Sequence, residues 1–270
     1  MVRKFKQLVE EQDSLVLSEH LGSGSFGTAY KTELIRKNKR IRYLATKLFT
    51  LQGVRTSNQT REFISKIIPG YVEWISKIPS LQSQHPRLIF NNQQVVPIEK
   101  IDSTLHNETT NGKVYSNYAI VSEIFKHRTP MQDPQFKVAG ALLALNDLNE
   151  VERFVLEQLK EGIPIHRDML DIVKVGKEFR VTVRDPDLPA LNLVTKNALH
   201  THLLAAMTLN NIIKFKAMHK DSRVPKQVHV DAICEKLRKE FPTYAEKMIV
   251  VTTAKNPKLA KATIIGQSKE

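Results

Sequence analysis

The sequence predicts an α+β fold, with strand-forming segments first and helix-forming segments after them. Apolar runs separated by turn residues fill residues 14–49, which is typical of consecutive hairpins. Apolar residues at helical spacing dominate residues 138–159. The change in character falls near residue 130, so we expect parts at 1–127 and 128–254, followed by a basic tail at 255–270.

The first three strands are expected at residues 15–20, 28–35 and 41–49, with turn residues between them. Ser57 or Asn58 is a suitable N-cap for a helix that ends at Pro69-Gly70, because proline removes a helical hydrogen bond.

The remaining elements follow from the same patterns. A second helix is expected at residues 71–78, an exposed polar loop at 102–116, a strand at 118–125, a hairpin at 172–183 turning at Gly176, and further helices at 194–218, 230–240 and 244–251.

Charge and composition narrow the range of partners. The 270 residues contain 41 Lys+Arg and 28 Asp+Glu, a net charge of +13, which favours an acidic partner. No RNA-binding signature is present, so we do not expect a nucleic-acid partner. The single cysteine, Cys234, fits a reducing compartment. Neither a signal peptide nor a membrane span is evident, so we expect a soluble, cytoplasmic protein.

A glycine-rich segment lies between the first two predicted strands. Residues 21–31 read LGSGSFGTAYK, and they contain Gly22, Gly24 and Gly27. Glycines at this spacing suit a hairpin that folds over phosphate groups, because a Cβ would keep backbone N–H groups away from the phosphate oxygens. Alone, this motif is weak evidence.

Lys47 lies on the third predicted strand, in the sequence Leu-Ala-Thr-Lys. A lysine there could neutralise phosphate oxygens, and it would need a carboxylate to hold it. We expect Glu73 to be that carboxylate, and Glu62 is the alternative. An isolated strand-edge lysine would instead point into solvent.

A carboxylate cluster follows the long predicted helix. His166-Arg167-Asp168 ends a tight apolar loop, which suits Asp168 to accept a hydroxyl proton. Asp171 opens the predicted hairpin and Asp185 closes it, and carboxylate oxygens suit Mg²⁺. Aspartate also starts and ends many hairpins for structural reasons alone.

Taken together, these motifs over about residues 15–190 resemble the protein kinase family. The resemblance implies a two-lobed fold with a β-rich N-lobe and a reduced helical C-lobe. It implies that Lys47 contacts the α/β-phosphates of ATP and that Asp168 is the catalytic base. It also implies Mg²⁺ at Asp185, with backbone groups of residues 123–125, from Glu123 to Phe125, on the adenine and Ser122 as a small gatekeeper.

The sequence departs from the family pattern in the catalytic loop. The family's metal-binding Asn would fall at Val173, so we assign that role to Asp171 instead. The D-F-G triplet reads Asp185-Pro186-Asp187, and no A-P-E sequence follows. An activation segment therefore looks absent or minimal.

This pattern resembles the compact kinases that pathogenic bacteria deliver into host cells, and a protein substrate phosphorylated on Ser/Thr is the main expectation. Such an effector would be secreted into the host cytoplasm, where an acidic activator such as a ubiquitin-like protein or a polyphosphate could bind its basic surface. Two alternatives stay open: a nucleotide-binding pseudokinase scaffold, and an enzyme that transfers AMP or acts on a small molecule.

Overall fold

The computed structural model describes the greater part of the chain. The described residues are 6–24, 27–50, 57–109, 114, 116–125, 128–130, 143–161, 163, 165, 169–184, 198–219, 228, 231–232, 235–236, 239, 249–251 and 262–264. For residues 24, 57–67, 107–109, 128–130, 198–204, 206–207, 210, 249–251 and 262–264, the description is of the backbone alone.

The chain divides into two compact units. The first contains residues 1–84 and 90–125, and the second contains residues 85–89 and 126–270. The chain thus passes into the second unit after residue 125, next to the boundary that the sequence suggests at residue 127.

The first unit is built on a six-stranded sheet with the order β5-β7-β3-β2-β1-β6. Its elements are β1 (Ser14–Gly24), β2 (Gly27–Arg36), β3 (Lys39–Leu48), α1 (Ser57–Gln84), β5 (Gln93–Pro97), β6 (Ile101–Asp102), α2 (Thr104–Thr109) and β7 (Tyr118–Glu123). Of β4 (Ile89–Phe90), the first residue belongs to the second unit and the second residue to the first unit. A 3₁₀ turn (Ile98–Lys100) precedes β6.

The three predicted N-terminal strands form a continuous antiparallel meander. Arg36 of β2 pairs with Lys39 of β3 across a two-residue turn. Both turn residues are left-handed, Lys37 with φ 49° and Asn38 with φ 59°. Two such residues suit the right-handed twist of a tight hairpin, and asparagine tolerates that conformation better than most residues.

Apolar side chains on one face of this sheet form the core of the first unit. Leu44 and Leu48 are buried on β3, while Tyr43, which precedes Leu44 and lies on the opposite face, is exposed. The N-terminal segment closes this face, because Leu8 and Val9 are buried against it. The side-chain Oε1 of Gln94 accepts hydrogen bonds from the backbone N–H groups of both residues, at 2.9 and 3.0 Å.

Helix α1 is continuous from Ser57 to Gln84, so the predicted break at Pro69-Gly70 is wrong. Pro69 and Pro79 both lie inside the helix, on its exposed side. The buried side chains of Tyr71, Trp74, Ile78 and Leu81 form one continuous stripe through the second half of the helix. Burial of a large apolar side chain contributes about 1.5–3 kcal/mol, so four of them offset the roughly 3 kcal/mol that each of the two interior prolines costs.

The polar segment expected as an exposed loop at residues 102–116 contains a short helix, α2. Asp102 starts it, because its Oδ1 accepts hydrogen bonds from the Thr104 backbone N–H at 3.1 Å and the Thr104 hydroxyl at 2.6 Å. His106 is buried, and its Nδ1 lies 2.6 Å from the Tyr30 hydroxyl. This buried contact fixes α2 on the core side of the sheet.

The second unit combines a small sheet with helices. Its elements are β8 (Arg128–Pro130), α3 (Leu145–Lys160), β9 (Leu170–Val175), β10 (Glu178–Val183), α4 (Ala198–Met218), β11 (Ile249–Val251) and β12 (Ala262–Ile264). Strands β4, β10, β9 and β8 form one sheet in that order, and β11 pairs with β12.

The predicted hairpin is confirmed, since β9 and β10 are antiparallel and Val175 pairs with Glu178 across a two-residue turn. Gly176 opens that turn with φ 62°, a conformation that glycine adopts at little cost.

Helix α3 packs against α4, and an ion cluster joins them. Glu152 is buried on α3, accepts a hydrogen bond from Lys216 of α4, and is also bound by Lys236 at 2.6 Å. Burial raises the pKa of Glu152, but hydrogen bonds from both lysines outweigh it and hold the pKa below its ordinary value. The carboxylate is therefore charged and compensated inside the unit.

Two sequence expectations near the C-terminus are wrong. Residues 249–251 form a strand rather than the end of a helix, and residues 262–264 pair with it instead of lying in a loose tail. Both segments are rich in β-branched residues, which favour extended backbone.

The α+β class is confirmed. The two-lobed kinase-like fold stays a prediction. Within the part of the chain that the structure describes, no helix has the length and apolar character that crossing a membrane requires.

Candidate functional site

The glycine-rich segment forms the tip of the first hairpin, as the sequence predicts. Strand β1 ends at Gly24, which pairs with Gly27 at the start of β2, and Ser25 and Phe26 between them lie outside the described residues. Gly22 has φ 151°, a conformation that a side chain would strain. Irregular pairing between His20 and Gly22 bends the hairpin near its tip.

Gly27 is required by the packing of the hairpin itself. A Cβ added there would lie 2.4 Å from the backbone oxygen of Leu48 on the neighbouring strand β3. No real Cβ makes so short a contact with backbone. The glycine therefore has a structural reason that is independent of any ligand.

Lys47 lies directly opposite Ala29 of β2, one strand away from the hairpin tip. Its Nζ donates a hydrogen bond of 3.0 Å to the Tyr71 hydroxyl on α1. It also lies 5.9 Å from the centre of the Phe49 ring and 5.6 Å from that of the Tyr71 ring. Such distances allow cation–π attraction, so this lysine is held against aromatic side chains rather than extended into solvent.

Small and large side chains share the face of the sheet that carries Lys47, and its direct partner on β7 is the large Ile120. Ala29 is its partner on β2, Ala45 is two residues before it, and Ser122 of β7 pairs with Ala45. Because side chains alternate between faces, all of these share the face of Lys47. Ala29 and Ala45 are thus small residues on a face that also carries Lys31, which pairs with Ala45.

Glu73 is not bonded to Lys47 in the structure. Its carboxylate is 68% exposed and lies 2.8 Å from Lys77, one turn further along α1. The hydrogen bond and then the charge of Lys77 lower the pKa of Glu73. The side chain of the alternative partner, Glu62, lies outside the described residues.

Glu123 ends strand β7, and Phe125 follows it as a half-buried residue. The backbone N–H of Glu123 donates to the carbonyl oxygen of Asn92 at 3.2 Å. That N–H group is therefore already used by the protein, and the hinge role for Glu123 and Phe125 stays a prediction.

Asp171 is fully buried on β9 of the second unit. Its Oδ2 lies 2.7 Å from Nε of Arg184, the residue that follows β10. The Arg184 backbone N–H also donates to the Met169 carbonyl at 2.7 Å, which fixes the chain where it leaves the hairpin. Asp168 and Asp185, with His166 and Arg167, lie outside the described residues.

Two contacts of the candidate residues could not be predicted from the sequence. The spacing of Tyr71 on α1 indicates burial but not a bond to Lys47, and nothing in the sequence pairs Arg184 with Asp171. Among the described residues, no group of three or more His, Cys, Asp or Glu side chains is arranged to hold a metal ion.

Comparison with known proteins adds no relative: no family model matches this chain, and no curated protein matches it.

Proposed function

We propose that this protein is a Mg-ATP-dependent protein kinase that transfers the γ-phosphoryl group to Ser/Thr hydroxyls of a protein and lacks a full activation segment. The observation that carries the proposal is the position of Lys47. It lies on the third strand of the sheet, opposite Ala29 and beside the glycine hairpin, with α1 packed near its amino group. A glycine-rich loop followed by a third-strand lysine is the phosphate-binding arrangement of protein kinases.

The small side chains on the face of Lys47 support a nucleotide as the ligand. Ala29 and Ala45 would leave room for a flat ring above their small side chains, and the Lys47 cation would lie beside it for phosphate oxygens. Gly22, Gly24 and Gly27 at the hairpin tip would bring backbone N–H groups close to those oxygens.

The second unit would provide the reacting groups. Asp168 would orient the acceptor hydroxyl and take its proton, while Asp171 and Asp185 would hold Mg²⁺. The metal ion would neutralise charge on the phosphate oxygens. Phosphoryl transfer relies mainly on positioning and electrostatics, so few protein groups suffice.

The ion pair between Asp171 and Arg184 favours a second candidate, a nucleotide-binding pseudokinase scaffold. A guanidinium 2.7 Å from Oδ2 of Asp171 neutralises the carboxylate that would bind the metal. On the kinase proposal Arg184 moves away when Mg-ATP binds. On the scaffold proposal the pair persists and no phosphate is transferred.

Intact-mass analysis after incubation with Mg-ATP, with and without a host-cell lysate, separates the candidates. We expect a gain of one or more phosphate masses on the protein or on a lysate protein. Lys47→Ala and Asp168→Ala should each reduce this transfer on the order of a hundredfold or more without unfolding the protein. Lys174→Ala is a matched control, because Lys174 is also an exposed lysine on a strand.

Any other outcome of the mass analysis would indicate a different activity. A gain of one AMP mass would identify an AMP transferase, and phosphorylation of a small molecule alone would identify a different acceptor. Equal transfer by the wild type and both variants would contradict the assignment of Lys47 and Asp168. Nucleotide binding with no transfer under any condition would support the pseudokinase scaffold.

An acidic protein or polyphosphate is the partner that the net charge of +13 favours. We propose that such a host factor activates the enzyme. Activity that is unchanged by ubiquitin-like proteins and inositol polyphosphates would contradict this part of the proposal.

A further inference from the structure

Tyr71 of α1 contacts the amino group of Lys47, and packing fixes the position of its own ring. The side chain is 1% exposed, and its ring centre lies 5.8 Å from that of Phe49, which is itself buried. Trp74 is buried one turn further along α1. A tyrosine ring has few torsions to lose, so a ring packed in this way is rigid. Its hydroxyl is therefore held at one place.

The stem of Lys47 is flanked by the neighbouring strands. Its direct partner on β7 is Ile120, which is 3% exposed, and its direct partner on β2 is Ala29. A Cβ built on Gly27 would lie 3.5 Å from Cγ of Lys47, so the stem also passes beside the base of the glycine hairpin. The end of the side chain is the part whose position depends on a further contact.

The ammonium group of Lys47 meets two aromatic rings and one hydroxyl. Nζ donates a hydrogen bond of 3.0 Å to the Tyr71 oxygen, and it lies 5.6 Å from the ring centre of Tyr71 and 5.9 Å from that of Phe49. Cation–π attraction acts over a broad area of a ring, whereas a hydrogen bond of this length specifies a position. A hydroxyl carries no net charge, so this bond orients the ammonium group without neutralising it.

Glu73 lies on the same part of α1 but points elsewhere. Tyr71 and Glu73 are two residues apart, so their side chains leave the helix in different directions. The Glu73 carboxylate is 68% exposed and lies 2.8 Å from Lys77. From this turn of α1, the group that meets Lys47 is therefore the hydroxyl of Tyr71.

We propose that Tyr71 is the positioning residue of Lys47, and that its hydroxyl holds the ammonium group where the phosphate oxygens of the nucleotide arrive. The inference rests on the proposed function, in which Lys47 contacts these oxygens. A lysine that is already oriented loses less side-chain freedom when the nucleotide binds, so the hydroxyl favours binding. Lys47 would contact the phosphates both before and during transfer, so Tyr71 affects the KM for ATP more than kcat.

Acetylation of the full chain by N-hydroxysuccinimide acetate tests the position of Lys47 without any nucleotide. Tyr71→Phe removes the hydroxyl and keeps the ring, and peptide mass spectrometry gives the rate of acetylation at each lysine. We expect Lys47 to react roughly fivefold faster in Tyr71→Phe than in the wild type, because the hydroxyl no longer holds its amino group. Lys174, an exposed lysine of the second unit, should react at the same rate in both and is the internal reference.

Tyr30→Phe is the matched control. Tyr30 is a buried tyrosine of β2 whose hydroxyl lies 2.6 Å from Nδ1 of His106. It follows Ala29, the partner of Lys47, so it lies on the opposite face of the sheet. This variant also loses a buried hydroxyl contact, but its Lys47 acetylation rate and its KM for ATP should equal those of the wild type. Circular dichroism and the Tm of both variants verify that each is folded.

Transfer kinetics with Mg-ATP measure the consequence for the site. In Tyr71→Phe, the KM for ATP should rise roughly fivefold while kcat stays within about twofold of the wild-type value. A merely structural role of Tyr71 would instead lower the amount of active protein, and so kcat, with the KM for ATP unchanged.

Failure of this inference differs from failure of the proposed function. Mg-ATP should slow the acetylation of Lys47 in the wild type, because bound phosphates would cover its amino group. No protection by Mg-ATP would contradict the proposed function, and the inference with it. Protection together with equal Lys47 acetylation rates in the wild type and Tyr71→Phe, or with an unchanged KM for ATP, would overturn the role of Tyr71 alone. Equal effects of Tyr30→Phe and Tyr71→Phe would overturn it as well.

Discussion

Two glycines of the first hairpin are required for different physical reasons. Gly22 has φ 151° and open space around it, so a side chain there would strain the backbone without a clash. Gly27 has ordinary backbone but no room, because the Leu48 carbonyl is in the way. A sequence motif treats these positions alike, whereas their substitutions should behave differently.

Gly27→Ala should therefore destabilise the protein. We expect a loss of about 1–3 kcal/mol in the free energy of unfolding, because β2 must move away from β3 to admit the methyl group. Thermal and urea unfolding measure it.

Gly176→Ala is the comparison for that variant, since Gly176 has φ 62° and nothing within 4 Å of an added Cβ. It should lose only about 1 kcal/mol. Equal losses in the two variants would show that the contact with the Leu48 carbonyl does not set the size of the loss at Gly27.

His85 is a buried histidine of the second unit with charged neighbours on both sides. Its Nδ1 lies 3.4 Å from Glu150 and its Nε2 3.1 Å from Glu157, both on α3. Arg153 binds both of these carboxylates, and the Phe154 ring lies edge-on at 5.1 Å. Burial lowers the pKa of His85, Glu157 opposes this, and the charge of Arg153 adds to the lowering.

The lowered pKa predicts a loss of stability in mild acid. Below about pH 6.5, the ordinary value for histidine, the unfolded chain binds a proton that folded His85 does not. The contribution of His85 to the free energy of unfolding is thus fully present above that pH. It is lost as the pH falls towards the lower pKa that His85 has in the folded protein. Urea unfolding at about pH 7.5, 6.5 and 5.5 should show this decline in the free energy of unfolding.

His85→Gln should reduce the pH dependence, while His20→Gln, a change at an exposed histidine, should preserve it. An identical pH profile in the wild type and His85→Gln would assign the decline to other groups.

At the scale of elements, α1 shows how tertiary packing overrides local propensity. Pro69-Gly70 is a strong local stop signal, yet the helix passes through it because its second half is anchored by buried Tyr71 and Trp74. The same anchoring places the Tyr71 hydroxyl against Lys47. A helix ending at residue 68 would not specify that contact.

Pro69→Ala should raise stability by about 1–3 kcal/mol, because alanine restores a helical N–H and removes the ring from the helix interior. Pro69 is exposed, so no buried contact changes. Thermal unfolding followed by circular dichroism measures the gain. An unchanged or lower Tm would contradict a continuous α1.

For the whole molecule, the net charge of +13 is the property that sequence alone defines. Many of the basic side chains are neutralised locally, as Arg36 is by Asp13 at 2.7 Å and Glu10 at 3.0 Å. Lys37 and Lys39, at the turn between β2 and β3, are exposed, and no ion pair exists for them among the described residues. The distribution of charge is thus a result of folding.

Polyphosphate should bind the protein at low salt. Binding should weaken as the salt concentration rises, because screening weakens attraction between exposed charges. Reversing Lys37 and Lys39 to Glu together should weaken this binding at least fivefold, by fluorescence anisotropy at low salt. Reversing Lys174 and Lys177, at the tip of the other hairpin, makes the same change in net charge. Equal effects of the two pairs would mean that net charge alone decides binding.

The sequence by itself determined what depends on neighbouring residues. Period-two alternation and turn residues placed β1, β2, β3 and the β9–β10 hairpin, because each needs only local pairing. It also selected Lys47 and the hairpin glycines as candidates, with Asp168 and Asp185 staying predictions.

Only the tertiary structure decided what depends on contacts between distant segments. In the folded protein α1 continues past Pro69, and the polar residues after Asp102 form a helix with a buried His106. Asp171 pairs with Arg184. The tertiary structure also gave Lys47 a tyrosine hydroxyl and left Glu73 with Lys77. Burial and pairing energies of several kcal/mol exceed local propensities, and they arise only when the chain has folded.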